Sequence, residues 1–226
     1  MTKKIIILGG EGNGGVVAAC IHDMNVRLNN HDFEVMGFLN DFMEKGETIQ
    51  TFPVLGKTSE VSLFIEDKDV MFVYAIHPVG HGSLRINLFN KINIPEDRLA
   101  TIIHPHAFIG IDSTIEAGAF IMANSYIGPG AVIKKCALVM ANTVIGHNTE
   151  VGEYCHISAG AVVSSYVKIG TASDVALNAT VLDKTQIGDH AVVGAGAMIT
   201  KSIGDNEVVV GNPQRLLRKS SDKQIY

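Results

Sequence analysis

The chain has no tryptophan, and aromatic residues make up only 6% of its 226 positions. A core this poor in rings must be built from aliphatic and small side chains, and a repeat architecture is one way to build it. Charge is also sparse, at 18%, while hydrophobic residues reach 46%. That balance excludes an intrinsically disordered chain, which is low in apolar residues and high in net charge. The 23 glycines fall far short of the roughly one in three that collagen needs. There is no positive excess. The net charge is −5, whereas nucleic-acid-binding domains usually present a basic face, so no nucleic-acid partner is expected. No apolar run approaches the ~20 residues of a membrane span. Ile5–Leu8, following Lys3-Lys4, is too short for the apolar segment of a signal peptide and reads as a buried first strand. Cysteine is limited to Cys20, Cys136 and Cys155, an odd number without metal-ligand spacing. A reduced, cytoplasmic setting is therefore expected.

What the sequence has instead is a repeat of six. Stepping by six from Ile103 to Ile199, all seventeen positions are Ile or Val, with no insertion. Four residues after each, the side chain is small, from Ala107 and Ser113 to Ala191 and Ala197. A period of six fits neither a helix nor a long amphipathic strand. β-Branched residues favour short strands. One large and one small inward residue per strand would fill a narrow triangular prism. Glycines beside the aliphatic position, as in Ile127-Gly128 and Ile145-Gly146, would allow its corners. Three faces make a coil of 18 residues. Five to six coils, at about 4.8 Å each, give a prism roughly 26 Å tall.

Residues 1–100 read differently. Lys4–Leu8, Phe33–Leu39 and Val70–Ile76 are expected strands, and Val16–Met24 and Leu84–Asn93 expected helices. Between the first strand and first helix lies Gly9-Gly10-Glu11-Gly12-Asn13-Gly14-Gly15. Strand–helix–strand order predicts a small parallel sheet with a Rossmann-like start. A Gly-rich turn at a helix N-terminus lets backbone amides approach a phosphate. A carboxylate ending the second strand suits a ribose hydroxyl. The run is too short for two mononucleotide halves. A truncated sheet binding one nucleotide end is the more economical reading, and a turn that merely connects strand to helix is the alternative.

The hexads resemble those of the hexapeptide-repeat acyltransferases, which implies a left-handed parallel β-helix. The chain as a whole resembles the sugar acyltransferases of the NeuD/PglD type. The likeness rests on Ile7–Gly14, Gly37-Phe38-Leu39-Asn40-Asp41, Ile102-Ile103-His104-Pro105, Ala141–His147, His156–Ala161, Val193–Ala197 and Gly211-Asn212-Pro213. The fold class expected is thus a small Rossmann-like α/β domain (1–100), a left-handed β-helix (101–205) and a strand/helix tail (206–226). The chain departs from the family pattern at Asn13, where a His is usual. It departs again at Asn148, where an acidic residue follows the catalytic His, and in the loop Ile76-His77-Pro78.

The resemblance implies an acetyl-CoA-dependent N-acetyltransferase acting on a nucleotide-linked amino sugar, of the 4-amino-4,6-dideoxy type, for surface polysaccharide or glycan biosynthesis. O-acetylation of sialic acid or a related sugar is the runner-up, and a non-catalytic nucleotide-binding protein a third reading. His147 matches the family's catalytic base, and Asn148 is expected to orient it. The amide of Ser165, 18 residues on, is the candidate oxyanion donor. His156 matches a position that contacts acetyl-CoA. Leu177 and Ala195, stacked 18 apart, are expected to line the pantetheine groove. Gly10, Glu11, Gly12, Asn13, Asn40, Asp41 and Ile76 are the candidate substrate contacts. His104, His106, His156 and His190 are all expected to point outward, like His147. Family members are homotrimers with sites between adjacent prisms, which implies a trimer here. No metal is expected. A zinc site needs about three converging ligands, but His147 and His156 lie half a coil apart with no third His on an adjacent row.

Overall fold

The computed structural model describes residues 2–219. The chain divides into two compact units: residues 1–76 with 88–101, and residues 77–87 with 102–226. The boundary expected near residue 100 is thus interrupted, because residues 77–87 go with the second unit.

The first unit is a five-stranded sheet. Its elements are β1 (Lys3–Leu8), α1 (Asn13–Arg27), β2 (Phe33–Leu39), β3 (Thr48–Ile49), β4 (Phe52–Gly56), α2 (Ser62–Ile65) and β5 (Val70–Tyr74). The order is β3-β4-β2-β1-β5, parallel except for the β3–β4 hairpin. The central β1 reads Ile-Ile-Ile-Leu over Ile5–Leu8, all fully buried, as expected of a parallel strand covered on both faces. The helix α1 begins earlier and ends later than the apolar periodicity suggests.

The second unit is a three-sided parallel β-helix of the left-handed type. Among the described residues it is built from seventeen two-residue strands, from Ile102–Ile103 to Met198–Ile199. The second residue of each strand is the aliphatic residue of the hexad. Pairing joins residues 18 apart, for example Ile103 with Ile121, Ile109 with Ile127 and Ile115 with Ile133. The first face carries Ile103, Ile121, Val139, Ile157, Val175 and Val193. The second carries Ile109, Ile127, Ile145, Val163, Val181 and Ile199. The third carries Ile115, Ile133, Val151, Ile169 and Ile187. These side chains and the small residues between them form one continuous core. Where the small residue is polar, its hydrogen goes to a backbone carbonyl. Thr143 donates to Met140 (2.6 Å), Thr149 to Ser164 (2.7 Å) and Ser173 to Gly188 (2.7 Å). Buried hydroxyls are thereby satisfied without side-chain partners.

The corners are not turned by the glycines beside the aliphatic residues. The left-handed corner residues lie three positions after the aliphatic one, as at Asn124, Cys136, Asn142, Asn148, Tyr154 and Tyr166, with φ of 53–59°. Gly146 is required by crowding instead. A Cβ there would sit 2.5 Å from Ser164 C and 2.6 Å from Ser165 N in the next coil. In the tail, Glu207–Val210 continues the first face and pairs antiparallel with Arg215–Lys219. Residues 206–219 hold strands and turns but no helix. The last seven residues of the expected tail lie outside the described residues.

Candidate active site

In the first unit, the turn after β1 and the turn after β2 are tied together by one side chain. Asn40 is buried. Its Nδ2 donates to Gly9 O (2.9 Å), and its Oδ1 accepts from the amides of Phe42 (2.8 Å) and Met43 (3.0 Å). Asn40 therefore shapes this end of the sheet, and its carboxamide is occupied there. Gly10, Glu11, Gly12 and Asn13 form the turn into α1, closed by Gly15 N donating to Gly10 O (2.9 Å). Glu11 and Gly12 are exposed. The Asp41 carboxylate, exposed at the end of β2, accepts from Thr58 N (2.8 Å) and Thr58 Oγ1 (2.9 and 3.0 Å). It opens onto a cleft of about 490 Å³ bordered by Lys57, Thr58, Ser59 and Lys91. Lys57 and Lys91 bring positive charge to this cleft beside the Asp41 carboxylate, a feature the glycine pattern did not disclose. Ile76 is half-buried after β5.

In the second unit, His147 is exposed at the corner between the second and third faces. Its Nδ1 lies 3.0 Å from Asn148 Oδ1. An amide oxygen accepts only, so Nδ1 carries the hydrogen and Nε2 keeps its lone pair. Asn148 can present that oxygen because it is itself the left-handed corner residue, with φ of 57°. The Tyr166 ring stands nearly perpendicular to the imidazole, with centroids 5.0 Å apart. The Ser165 amide, one coil above His147, makes no hydrogen bond among the described residues.

His156 lies elsewhere. It is on the first face and buried at 7% exposure, not outward in solvent. The segment 77–87, beginning the helix α3 (Gly82–Ile92), covers the site. Arg85 and Asp174 form an ion pair there at 2.8 Å, both fully buried. Asp174 also accepts from Gly80 N (2.8 Å), and Arg85 donates to Tyr154 O (2.6 Å) and Pro78 O (3.0 Å). His77 is hydrogen-bonded through Nε2 to Cys136 O (3.0 Å). Gly82 packs where a Cβ would stand 2.5 Å from His190 Nδ1 and 2.7 Å from Ala172 O. The segment thus runs along the corner formed by Cys136, Tyr154, Ala172 and His190. Burial pushes the His156 imidazole down to about 4, with Arg85 adding to the shift and Asp174 opposing it. Burial also holds His77 well below its ordinary value, aided by Arg85 and His156. At 3.9 Å from Asp174, His156 Nδ1 is beyond hydrogen-bonding reach. His104 is buried as well, His190 is half-buried, and His106 and His147 keep the outward, exposed setting expected of them. The sign of this burial was present in Asp174, an acid at an outward strand position between His156 and Val192.

Leu177 and Ala195 are exposed and adjacent, Gly196 N donating to Leu177 O (2.9 Å). They occupy the corner between the first and second faces. Within one chain they and His147 therefore flank opposite edges of the second face. Among the described residues, no group of three His, Cys, Asp or Glu is arranged to hold a metal ion, and no helix is long and apolar enough to cross a membrane.

Residues 4–92 match the PglD N-terminal domain, and residues 131–165 match the bacterial transferase hexapeptide (six repeats). Together these matches take in more than half of the chain. The UDP-N-acetylbacillosamine N-acetyltransferase of Bacillus subtilis (strain 168) is 30% identical over 121 residues, 54% of this chain and 52% of that protein. The matched region thus spans about half the length of that curated relative. The acetyltransferase domain of PglB from Neisseria gonorrhoeae FA1090, solved with acetyl coenzyme A, superposes with a TM-score of 0.80 at 28% identity. It covers 96% of this chain and 100% of its own. PerB from Caulobacter crescentus, solved with CoA and GDP-perosamine, gives a TM-score of 0.79 at 21% identity over 96% and 99% of the two chains. Fold and repeat define a hexapeptide-repeat transferase. Taken with the N-terminal match, the chain belongs to the NeuD/PglD-type hexapeptide acyltransferases.

Proposed function

We propose that this chain transfers the acetyl group of acetyl-CoA to the amine of a nucleotide-linked amino sugar, of the 4-amino-4,6-dideoxy type, in surface polysaccharide or glycan biosynthesis. The observation that carries the reading is His147: exposed, with Nδ1 engaged by Asn148 (3.0 Å) and Nε2 open. The relatives support it through what they bind or make: acetylated bacillosamine, GDP-perosamine with CoA, and acetyl coenzyme A. The first unit supplies the nucleotide contacts: the turn Gly10–Asn13, Asp41 and the lysine-lined cleft, with Asn40 as the tie behind them and Ile76 beside them.

The chemistry balances on one proton. The amine arrives neutral, having left its extra proton in solvent. Its nitrogen attacks the thioester carbonyl while Nε2 of His147 takes one N–H proton, as general base. The oxyanion so formed is placed against the free Ser165 amide, a donor type worth about 3 kcal/mol in such sites. Collapse expels the thiolate of CoA, which takes the proton back from His147. Leu177 and Ala195 line the groove for the pantetheine arm. His156, expected to contact acetyl-CoA, is buried beside Asp174 and is not assigned to the CoA groove. We further propose a homotrimer, because within one chain His147 and the Leu177–Ala195 row flank opposite edges of the second face. The three cysteines are buried thiols, which fits a reducing, cytoplasmic setting.

A screen of UDP-, GDP- and dTDP-linked 4-amino sugars with acetyl-CoA, read by thiol release, tests the reading. One of these substrates turns over, and His147→Ala lowers kcat by roughly 10²- to 10⁴-fold with the fold intact by circular dichroism. Wild-type turnover in that variant rejects His147 as base. Acetylation of free sialic acid in place of every amino-sugar nucleotide moves the assignment to O-acetylation.

A further inference from the structure

Tyr166 occupies a position that a tyrosine should avoid. It is a left-handed corner residue with φ of 59°, in a column that also holds Asp112, Gly130, Asn148 and Lys184. Asn, Asp and Gly tolerate this conformation, but a bulky ring there is strained. Tyr154 sits at the equivalent point of another corner, where burial of its ring compensates; Tyr154 is 4% exposed. Tyr166 has no such compensation, being 52% exposed. Its ring contact is with the imidazole of His147, at 5.0 Å and 83°. Strain kept at an exposed site, directed at the one group poised for chemistry, points to function.

We propose that Tyr166 is a positioning residue for His147, holding the imidazole against Asn148 and stabilising the imidazolium that forms when the sugar amine is deprotonated. The inference rests on the reading of His147 as the base. The chemistry follows from what Asn148 lacks. Its amide orients the ring through Nδ1 but brings no negative charge to offset the cation made at Nε2. An aromatic face within about 6 Å of a cation supplies that offset through its quadrupole. Tyr166, one coil above Asn148, has its ring centroid 5.0 Å from that of the imidazole and nearly perpendicular to it, within the separation such an offset needs. The ring, and not the hydroxyl, is the working part.

Three substitutions and one pairing test this. Tyr166→Leu and Tyr166→Asn should each lower kcat roughly tenfold, with KM for acetyl-CoA and for the sugar nucleotide within about twofold of wild type. Tyr166→Phe should restore most of the loss, because it keeps the ring. Tyr166→Asn should melt at or above the wild-type temperature, since Asn suits the left-handed corner; a residue with only a structural role would lower it. In a His147→Ala background Tyr166→Asn should cost nothing more, as expected of groups acting as a unit. Wild-type kcat in Tyr166→Asn or Tyr166→Leu overturns the proposal, and so does Tyr166→Phe behaving like Tyr166→Leu. An additive loss in the double variant places Tyr166 on the substrate and overturns it also. Full activity in His147→Ala itself overturns the reading of the base, and with it this inference. The two failures are therefore told apart by that control.

Discussion

A histidine buried without a hydrogen-bond partner stays neutral in the fold, and folding then competes with protonation. His156 is such a residue, with its imidazole pushed down to about 4. In the unfolded chain it takes a proton near its ordinary value of 6.5. Between those values the unfolded state binds more protons, so stability is complete above about pH 6.5 and declines as pH falls toward 4. The loss at the acid end is roughly 3 kcal/mol, at about 1.4 kcal/mol per pH unit. His77 is shifted in the same direction and steepens the decline. His156→Gln should therefore have a shallower fall in Tm between about pH 6.5 and pH 4.5, measured by differential scanning calorimetry. Parallel slopes for the two proteins would reject this account. The same pair of residues shows how far single positions could be read. The outward placement of His147 was legible from its position in the hexad, while its role came from the family resemblance alone. His156 has an equally outward register, but its cover comes from a segment about 70 residues earlier, and the sequence marks that only indirectly, through the acid Asp174 on the same row.

The short segment 77–87 is the element that local reasoning could not place. The hexads specified the prism strands to the residue, because Ile or Val at every sixth position leaves one register open. Phe33–Leu39 was equally plain, as a largely apolar run ended by Asn40-Asp41. The attachment of 77–87 depends instead on Arg85 meeting Asp174, 89 positions apart, and on a glycine at 82 that lets the backbone reach the corner. This ion pair is fully buried, so its members are costly alone. Arg85→Ala, which leaves the buried Asp174 carboxylate without its cation, should destabilise the second unit by about 3–5 kcal/mol. The double variant Arg85→Met/Asp174→Leu should recover most of that, since matched apolar side chains remove both charges at once. Urea titrations followed by circular dichroism measure both. If the double variant is as unstable as the single, the pair contributes attraction and not merely mutual neutralisation.

At the scale of the molecule, the three faces of the prism differ sharply in what they present. The first face is buried along Ile102, Phe120, Leu138, His156 and Asp174. The third is polar, with Glu150, Lys168 and Gln186, and Lys134 paired with Glu150. The second offers an exposed apolar row of Phe108, Tyr126, Val144 and Val162, the two rings stacked at 4.9 Å. A continuous apolar row on an otherwise polar surface marks a contact with another protein. His147 borders this row on one side and Leu177 with Ala195 on the other. If three copies pack through it, each groove joins His147 of one chain to Leu177 and Ala195 of the next. Val144→Glu should then yield a monomer by light scattering, with activity lost although His147 is untouched. A sharper test mixes two inactive variants, His147→Ala and Ala195→Trp, by partial unfolding and refolding together. Each mixed trimer contains at least one groove with both halves intact, so turnover should reappear in the mixture. Continued inactivity, with subunit exchange confirmed by native mass spectrometry, would place the whole site within one chain, which the opposite corners occupied by these residues argue against.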